Sequence, residues 1–459
     1  MSRPICPDRL NHSIRSTMMK QSTISHSWKG IAAFSVAALA ITACGPDTNG
    51  GDAAEEAADT DWADVEPAES IVFATNHPGG SEDIEAEFID EFTEETGIEV
   101  EVITSGANYE ETSQWFQTGG GSNADVVVLS DATWFPNYLN DALIPVDDVL
   151  EAADIDVSGY VDALYEDYLY EGSHYGVPYA RSTPLFYYNV EHYEEAGIDA
   201  PPETWEEVAE ISQTIVDEDL AQFGYAFPPS DEYPAWGMAN LVWGYGGAWS
   251  EEWDFSTVSS DETVEALEFA QSGVEDGWAN VAATSQTDDF SSGVASQTIQ
   301  STGSLGGIMD TADFEVGTAF LPDGPAAEGE TPTGGAGLML AAASSPEEQL
   351  ASAMFVGYMT SADVQARFSE ETGYVPSHQE SDMSDVYADT PQFETAVEQL
   401  ERARVQDFAR VFLPGADLEL ATTLQSLLTS GDDVREEMER VEAEFESLYE
   451  TDLADEIDG

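Results

Sequence analysis

Between residues 71 and 129 the hydrophobic pattern alternates between that of strands and that of helices. Short apolar or alternating runs indicate strands, and the segments between them carry apolar residues at helical spacing. Gly97 supplies the expected stop of the first helix. This order of elements predicts an α/β fold built on parallel, doubly wound sheets. The strand segments are 71–74, 98–102 and 125–129, and the helices begin near Glu82 and Glu110.

The middle and the end of the chain continue these patterns. Thr204 with Glu207, and Ser345 with Glu348, have the spacing of capping boxes that open helices. A last helix begins near Asp432, where apolar residues form one stripe.

Residues 1–43 have the organisation of a secretory signal peptide. Five basic residues precede the apolar run 30–40, and small residues stand before Cys44. That run is shorter than the ~20 residues that a membrane-spanning helix needs. A cysteine at the first mature position predicts a lipoprotein, acylated on its thiol and held at the extracellular face of the cell membrane. A signal peptide followed by an incidental cysteine is the alternative. The small, acidic segment 44–68 is expected to be a flexible tether.

The charge of the chain constrains its environment. The sequence holds 12 Lys and Arg against 92 Asp and Glu, a formal charge of -80. Five of those cations and one acid fall in residues 1–43, so the mature chain would keep seven arginines, no lysine and 91 acids. Such repulsion destabilises a compact fold in dilute buffer, but at ~1 M salt the Debye length is only ~3 Å. We therefore expect an extracellular protein of the halophilic archaeal type. A hydrophobic content of 42% disfavours a disordered chain, and the charge excludes nucleic acid as a partner.

Cysteine and histidine usage predicts neither a metal site nor a cofactor. Cys6 would leave with the signal peptide, so Cys44 would be the sole thiol and no disulfide could form. The histidines of the mature chain are scattered along it, and no motif of a zinc protease, a serine hydrolase or a P-loop occurs. Carboxylates are too abundant for any pair to indicate a glycosidase. The sequence therefore predicts a protein that is not an enzyme.

Six short motifs follow one another between residues 106 and 376. Each is weak alone, but their order and spacing resemble the extracellular solute-binding proteins of ABC importers, in the sugar-type class. Within that class the likeness is to the glycerol-3-phosphate-binding proteins, over roughly residues 70–450. The motifs occupy residues 106–110, 182–189, 201–205, 301–305, 334–336 and 372–376.

The resemblance implies a two-lobed fold of the type II periplasmic-binding-protein kind, with parallel sheets flanked by helices and a hinge between the lobes. Ligand would lie in the cleft between the lobes. The implied partners are a small solute and the permease subunits of an ABC transporter, and the protein would act as a monomer. Lobe one would hold 69–180 plus 318–360, and lobe two 181–317 plus 361–455.

The resemblance also implies a set of ligand-contacting residues. Asp131 would accept hydrogen bonds from adjacent hydroxyls, although the family pattern has Glu there. Serine hydroxyls and a backbone amide would donate to phosphate or hydroxyl oxygens, and two tyrosines would offer a ring edge and a phenol. Packing in a core, or exposure on the surface, is the alternative for each residue alone. The set is Tyr109, Asp131, Ser182, Ser301, Gly335 and Tyr374.

Arg181 is singled out by the sequence itself, because it is one of only seven mature cations and directly precedes Ser182. A guanidinium binds phosphate through two parallel hydrogen bonds. An ion pair with one of the many acids is the alternative. The family's phosphate-binding arginine belongs near Leu418, where this chain has none, and Arg410 is nearby but out of register.

Aromatic residues leave the ligand class open. Tyr233 and Trp236 approximate a position where the family places tryptophans beside the ligand. Aromatic faces suit a sugar as well as the quaternary ammonium of a glycerophosphodiester such as glycerophosphocholine. The prediction is a lipid-anchored protein that binds glycerol-3-phosphate or a glycerophosphodiester. A binding protein for a mono- or oligosaccharide is the alternative, and a secreted glycan-active enzyme or a cell-surface adhesive protein are distant ones.

Overall fold

The computed structural model describes residues 60–457, so the predicted signal peptide and Cys44 lie outside the described residues. No helix within 60–457 is both long enough and apolar enough to cross a bilayer. The strands are β1 (Ser70–Thr75), β2 (Glu99–Thr104), β3 (Val126–Ser130), β4 (Leu169–Tyr170), β5 (Ser173–His174), β6 (Val177–Ser182), β7 (Pro184–Asn189), β8 (Phe223–Phe227), β9 (Ala279–Val281), β10 (Ala295–Ser301), β11 (Val316–Ala319), β12 (Thr331–Pro332), β13 (Gly334–Leu340) and β14 (Ala403–Arg404).

Helices pack around these strands. Those of the first half are α1 (Glu82–Thr96), α2 (Tyr109–Gln117), α3 (Phe135–Leu139), α4 (Asp147–Ala152), α5 (Asp162–Glu166), α6 (Val190–Ala196), α7 (Trp205–Asp217), α8 (Pro234–Gly237) and α9 (Ala239–Gly244). Those of the second half are α10 (Asp261–Asp276), α11 (Gln286–Ser291), α12 (Leu305–Thr311), α13 (Pro346–Met359), α14 (Ala362–Thr372), α15 (Ser384–Asp389), α16 (Gln392–Glu398), α17 (Phe408–Phe412), α18 (Ala416–Ser430), α19 (Val434–Leu448) and α20 (Ala454–Ile457).

Two five-stranded sheets form the framework, with strand orders β2-β1-β3-β13-β6 and β11-β7-β10-β8-β9. Most strands run parallel as predicted, but β13 in the first sheet and β7 in the second are antiparallel to their neighbours. Both sheets are therefore mixed. The reason is visible at β7, which follows β6 after the single residue Thr183 and begins opposite Ser301, the last residue of β10. Strand β7 therefore enters the second sheet at the end where β10 finishes, and it has to run antiparallel to β10.

Local signals in the sequence set several element ends. Gly97 ends α1 in a left-handed conformation, with φ of 80°, and its N–H donates to the Thr93 carbonyl at 2.9 Å. The predicted capping box at Ser345 is confirmed, because its hydroxyl accepts from the Glu348 N–H while Glu348 accepts from the Ser345 N–H. The box predicted at Thr204 is only half formed, since Glu207 reaches past it to the N–H of residue 203.

The structure corrects three predicted boundaries. Helix α14 packs on α1, and Phe368 lies in the core of the first sheet, so residues 361–372 belong with that sheet and not with the second lobe. Strand β11 pairs with β7, so the boundary between 317 and 318 falls inside a strand of the second sheet. The fold also begins before residue 69, because Trp62 packs on the first core and the Ala68 N–H donates to Glu347 O at 2.9 Å. The other lobe boundaries stay a proposal.

The late helix α17 packs beside the first sheet. Phe412 contacts Trp134 and Phe135 edge-on, with ring centroids 5.9 and 4.9 Å apart, beside the first sheet. Phe408, four residues earlier, packs on Phe412 at 4.6 Å. These contacts fix the helix that carries Arg410 next to the end of β3.

His77, in the turn after β1, makes a contribution to the free energy of unfolding that depends on pH. Its Nδ1 lies 2.7 Å from a carboxylate oxygen of the buried Glu85, and its Nε2 lies 3.0 Å from Thr104 Oγ1. The pKa of His77 is raised, chiefly by the hydrogen bond to Glu85 and in spite of desolvation. A raised pKa means that this stabilisation is full below ~6.5, the unfolded value, and is lost as the pH rises through the folded value.

We expect His77→Gln to lower the free energy of unfolding by about 1–2 kcal/mol below pH 6 and by much less above pH 8. Urea unfolding across this range, at molar salt, measures the difference. His192→Gln is the matched control, because burial lowers the pKa of His192 and its effect should run in the opposite direction. A His77 deficit that does not change with pH would contradict the assignment.

Candidate functional site

A cavity of about 270 Å³ lies between the two sheets, near the lower end of the usual size of small-molecule sites. Several wall residues stand at strand ends: Ser182 ends β6 and Ser301 ends β10. Asp131 directly follows β3. The wall is formed by Tyr109, Glu110, Ser130, Asp131, Ala132, Ser182, Glu232, Tyr233, Trp236, Gln300, Ser301, Gly303, Ser304, Gly334, Gly335, Tyr374 and Arg410.

Seven of the eight residues that the sequence predicted for the site lie on this wall, and Arg181 does not. The structure brings together Tyr109, Asp131, Ser182, Trp236, Ser301, Gly335 and Tyr374. Their role in binding stays a prediction.

Gly335 is required by the backbone geometry at the cavity. Its φ is 92°, and a Cβ there would meet the Ala180 carbonyl oxygen at 2.1 Å. Its own carbonyl accepts the Asp131 N–H at 3.0 Å, which holds the end of β3 against β13. The glycine thus positions Asp131 as well as the wall of the cavity.

Two tyrosines meet across one side of the cavity. The hydroxyls of Tyr109, at the start of α2, and Tyr374, after α14, are 3.0 Å apart. Burial raises the pKa of both phenols. Both hydroxyls therefore stay protonated near neutral pH and can donate to a polar ligand.

Arg410 and Asp131 form a buried charged cluster on the wall. Arg410 Nη1 lies 3.2 Å from Asp131 Oδ2, and its Nε lies 2.8 Å from Asp417 Oδ1. The side chain of Gln406 bonds both Asp131 and Arg410. The sequence had placed Arg410 out of register, and the packing of Phe408 and Phe412 brings it to the cavity. The sequence around Arg410 does not show where these two phenylalanines pack, so it could not predict that Arg410 reaches the cavity.

Arg181 is fully buried beneath the cavity and is not part of its wall. Its guanidinium contacts the Asp167 carboxylate and the Tyr168 hydroxyl, and Thr333 Oγ1 donates to Asp167 at 2.8 Å. Desolvation outweighs the attraction of Arg181 and raises the pKa of Asp167 to about 7. The prediction that Arg181 lines the site is wrong, because a buried guanidinium needs a counter-charge and Asp167 takes it. Arg181 and Arg410 are nevertheless the two deeply buried arginines among residues 60–457.

Tyr233 holds an unusual backbone conformation at the mouth. Its φ is 52°, although it is bulky and precedes Pro234, two properties that disfavour the left-handed region. Its hydroxyl donates to Glu110 at 3.3 Å, and its carbonyl accepts the Trp236 N–H at 3.1 Å. Conformations of this kind cost about 1–3 kcal/mol and cluster at binding sites. Tyr233 in this conformation lines the cavity, with its phenol against Glu110.

Sequence reasoning missed several polar wall residues. Glu110 follows Tyr109, Glu232 precedes Tyr233, and Gln300 precedes Ser301. Each missed residue is thus the neighbour of one that was noticed, which is the signal that could have found it. In a chain with 92 acids, a further Glu carried no information. Within residues 60–457, no group of three or more His, Cys, Asp or Glu side chains is arranged to hold a metal.

Comparison with known proteins gives the class. The family model described as bacterial extracellular solute-binding protein matches residues 87–395, more than half of the chain. The chain belongs to this family. Its two-lobed α/β fold is that of the periplasmic sugar-binding proteins.

Individual relatives narrow the comparison. The chain is 26% identical over 277 residues to the sn-glycerol-3-phosphate-binding periplasmic protein UgpB of Brucella melitensis, a match that covers 56% of this chain and 63% of that protein. The structure of UgpB from Mycobacterium tuberculosis in complex with glycerophosphocholine is 34% identical, with a TM-score of 0.77 over 83% of this chain and 98% of that one. The cyclic α-maltosyl-1,6-maltose binding protein of Arthrobacter globiformis, 21% identical over 83% of this chain and 99% of its own, has a TM-score of 0.71 and shows the shared fold alone.

Proposed function

We propose that this chain is the solute-binding protein of an ABC importer and captures glycerol-3-phosphate or a glycerophosphodiester in the interlobe cavity. The observation that carries the proposal is Arg410, a buried guanidinium on a wall that also presents serine hydroxyls. The named ligands of the two UgpB relatives support the same class. The partners would be the solute and the permease subunits, with the protein acting as a monomer and not as an enzyme.

The wall residues suit a phosphorylated polyol. The hydroxyls of Ser182 and Ser301 and the two phenols supply donors for phosphate oxygens, and Arg410 supplies the positive charge. Asp131 can accept hydrogen bonds from adjacent hydroxyls of a glycerol group. We propose these roles for the residues that the sequence selected and, in addition, for Arg410.

A mono- or oligosaccharide is the second candidate. Trp236 and Tyr233 offer aromatic surface beside the carboxylates of the wall, and this combination also binds sugars. Trp236 is 8% exposed and its Nε1 donates to the Thr333 carbonyl at 2.8 Å, so its orientation is fixed. A secreted glycan-active enzyme is a distant third candidate.

We also propose the location that the sequence predicted: export by residues 1–43, acylation of Cys44, and attachment to the outer face of the cell membrane. The halophilic archaeal type belongs to the same proposal. Supporting it, each of the seven arginines in residues 60–457 lies within 3.6 Å of a carboxylate oxygen, which leaves a large excess of acid unneutralised.

Tryptophan fluorescence titration at molar salt tests the function. We expect saturable changes with glycerol-3-phosphate or glycerophosphodiesters at micromolar concentrations and none with inorganic sulfate. Trp236→Phe should remove much of the signal while calorimetry still detects binding. Saturation by maltose alone would favour the sugar candidate, and turnover of a glycoside by the pure protein would favour the enzyme.

A further inference from the structure

The guanidinium of Arg410 is only partly occupied by protein contacts. Its Nη1 lies 3.2 Å from Asp131 Oδ2 and also donates to Gln406 Oε1, while its Nε faces Asp417 Oδ1 at 2.8 Å. A guanidinium has five N–H groups, and two of them belong to Nη2. No hydrogen bond within residues 60–457 uses Nη2. Because Arg410 lines the cavity, Nη2 is the nitrogen that is left for a ligand.

The carboxylate of Asp131 is partly occupied in the same way. Its Oδ1 accepts the Ala132 N–H at 3.0 Å, and its Oδ2 accepts hydrogen bonds from both Gln406 and Arg410. A carboxylate offers about four acceptor positions, so one of them, on Oδ1, remains for a ligand hydroxyl. Each charged group of the wall thus keeps one atom with free hydrogen-bonding capacity.

Gln406 joins these two groups from behind the wall. It is 4% exposed, stands four residues before Arg410 and is not among the residues that line the cavity. Its Nε2 faces the carboxylate and its Oε1 faces the guanidinium, because the reverse orientation would set acceptor against acceptor. The neighbouring Asp407 fixes the backbone at this point, since its carboxylate accepts the Trp243 Nε1–H at 2.9 Å and the Trp249 N–H at 2.7 Å.

Loss of the Gln406 amide would change how the two charges pair. Asp131 Oδ2 would regain an acceptor position, and Arg410 Nη1 would regain a donor. Pairs of arginine and carboxylate favour two parallel hydrogen bonds, and that geometry would engage Nη2 of Arg410 with Asp131. The cation would then be withdrawn from the cavity. The amide therefore has a consequence for ligand binding as well as for packing.

We propose that Gln406 is a positioning residue for the ligand. By bridging Asp131 and Arg410, it keeps Arg410 Nη2 free for a phosphate oxygen and Asp131 Oδ1 free for a hydroxyl. This inference rests on the proposed function and adds a residue that controls affinity without touching the ligand. Phosphate esters with different headgroups depend on the bridge alike.

The variant Gln406→Glu tests the bridge, because only its protonated form has the donor and acceptor of glutamine in the same shape. When ionised, it would set a second carboxylate against Asp131, and both burial and repulsion favour protonation. We expect its affinity for glycerophosphocholine to be within about three-fold of the native value at pH 5 and at least about ten-fold weaker at pH 8. Calorimetric titration at molar salt measures both.

The native chain, titrated at each pH, is the reference. Neither the phosphodiester nor glutamine titrates between pH 5 and pH 8, and the titratable and charged groups near position 406 are common to both chains, so their effects cancel in the ratio. These groups are Asp131, Asp167, Arg181, Arg404, Asp407, Arg410 and Asp417.

Two further variants separate positioning from packing. Gln406→Met has neither donor nor acceptor and should bind at least about ten-fold more weakly at both pH values. Gln365→Glu is the matched control, because Gln365 is also buried and hydrogen-bonded, to the Met359 carbonyl and to Ser377, but does not line the cavity. It should lose stability as the pH rises, while the folded protein keeps the native affinity.

Native affinity in both Gln406 variants, or a loss in Gln406→Glu that is the same at pH 5 and pH 8, would overturn the inference while the proposed function stands. A crystal structure of the native chain with glycerophosphocholine decides the matter even where the variants fail to fold. We expect a phosphate oxygen within hydrogen-bond distance of Arg410 Nη2, and a phosphate bound to Gln406 itself would overturn the inference. Binding of no phosphate ester by the native chain would overturn the proposed function.

Discussion

Replacing Arg410 with methionine is expected to lower the free energy of unfolding by about 3–5 kcal/mol, because Asp131 and Asp417 would keep their charges without a partner. Affinity for phosphate esters should fall by about 10–100-fold, the usual worth of a charged hydrogen bond to a ligand. Urea unfolding and calorimetric titration, both at molar salt, measure the two effects. Arg435→Met is the matched control, because Arg435 and its partner Asp261 are 43% and 90% exposed and such pairs contribute little.

The two effects of Arg410 can be separated. Adding Asp131→Asn and Asp417→Asn to Arg410→Met removes the unpaired charges and should restore much of the stability. Phosphate-ester binding should stay weak, because the cation is still missing. A single variant that binds phosphate esters as tightly as the native chain would contradict the role given to Arg410.

Arg181→Met is expected to lower the free energy of unfolding by a similar amount, about 3–5 kcal/mol. The reason is that Asp167 would lose its charged partner at a position where neither side chain of the pair has exposed surface. The loss should depend on pH. A carboxyl group whose folded pKa exceeds its unfolded value stabilises the fold while protonated, so stability falls as the pH rises from ~4 through the folded pKa. Burial already raises the pKa of Asp167 to about 7 with Arg181 present. Without the arginine, the deficit should therefore shrink toward pH 5 and grow above pH 7.

Urea unfolding between pH 5 and pH 8 measures this dependence. The double variant Arg181→Met/Asp167→Leu removes both charges and should recover much of the stability at every pH. Because Arg181 is behind the wall, the ratio of affinities for phosphate esters and neutral sugars should not change in variants that remain folded. A selective loss of affinity for phosphate esters in Arg181→Met would instead show that Arg181 takes part in ligand binding.

The parts of the fold that were predictable depend on neighbouring residues. The stop at Gly97 and the capping box at Ser345 are set by backbone conformation and by side chains within four residues. The antiparallel placement of β7 and β13 depends instead on how the chain crosses between the sheets. Periodicity carries no information on that crossing, so the sequence predicted sheets more uniformly parallel than the structure has.

The same distinction holds at the site. Asp131 and Ser301 were selected by the resemblance of their motifs to the family, and the structure places both where strands end. The two buried arginines do not lie where the sequence suggested, because both placements depend on distant partners. Asp167 neutralises Arg181 in the core, and the contact of Phe412 with Trp134, 278 positions earlier in the chain, brings Arg410 to the wall. A short sequence window contains neither contact.

The packing of Trp62 and Ala68 at the start of the fold has a mechanical consequence. Strand β1 begins directly after these contacts, at the amino-terminal end of the parallel strands. Asp131 and the cavity lie at the opposite, carboxyl-terminal end of these strands. A pull on the chain ahead of residue 60 would therefore enter the fold at the end opposite the cavity. The packing of Trp62 and the hydrogen bond of Ala68 would carry that force into the first sheet and away from the cleft.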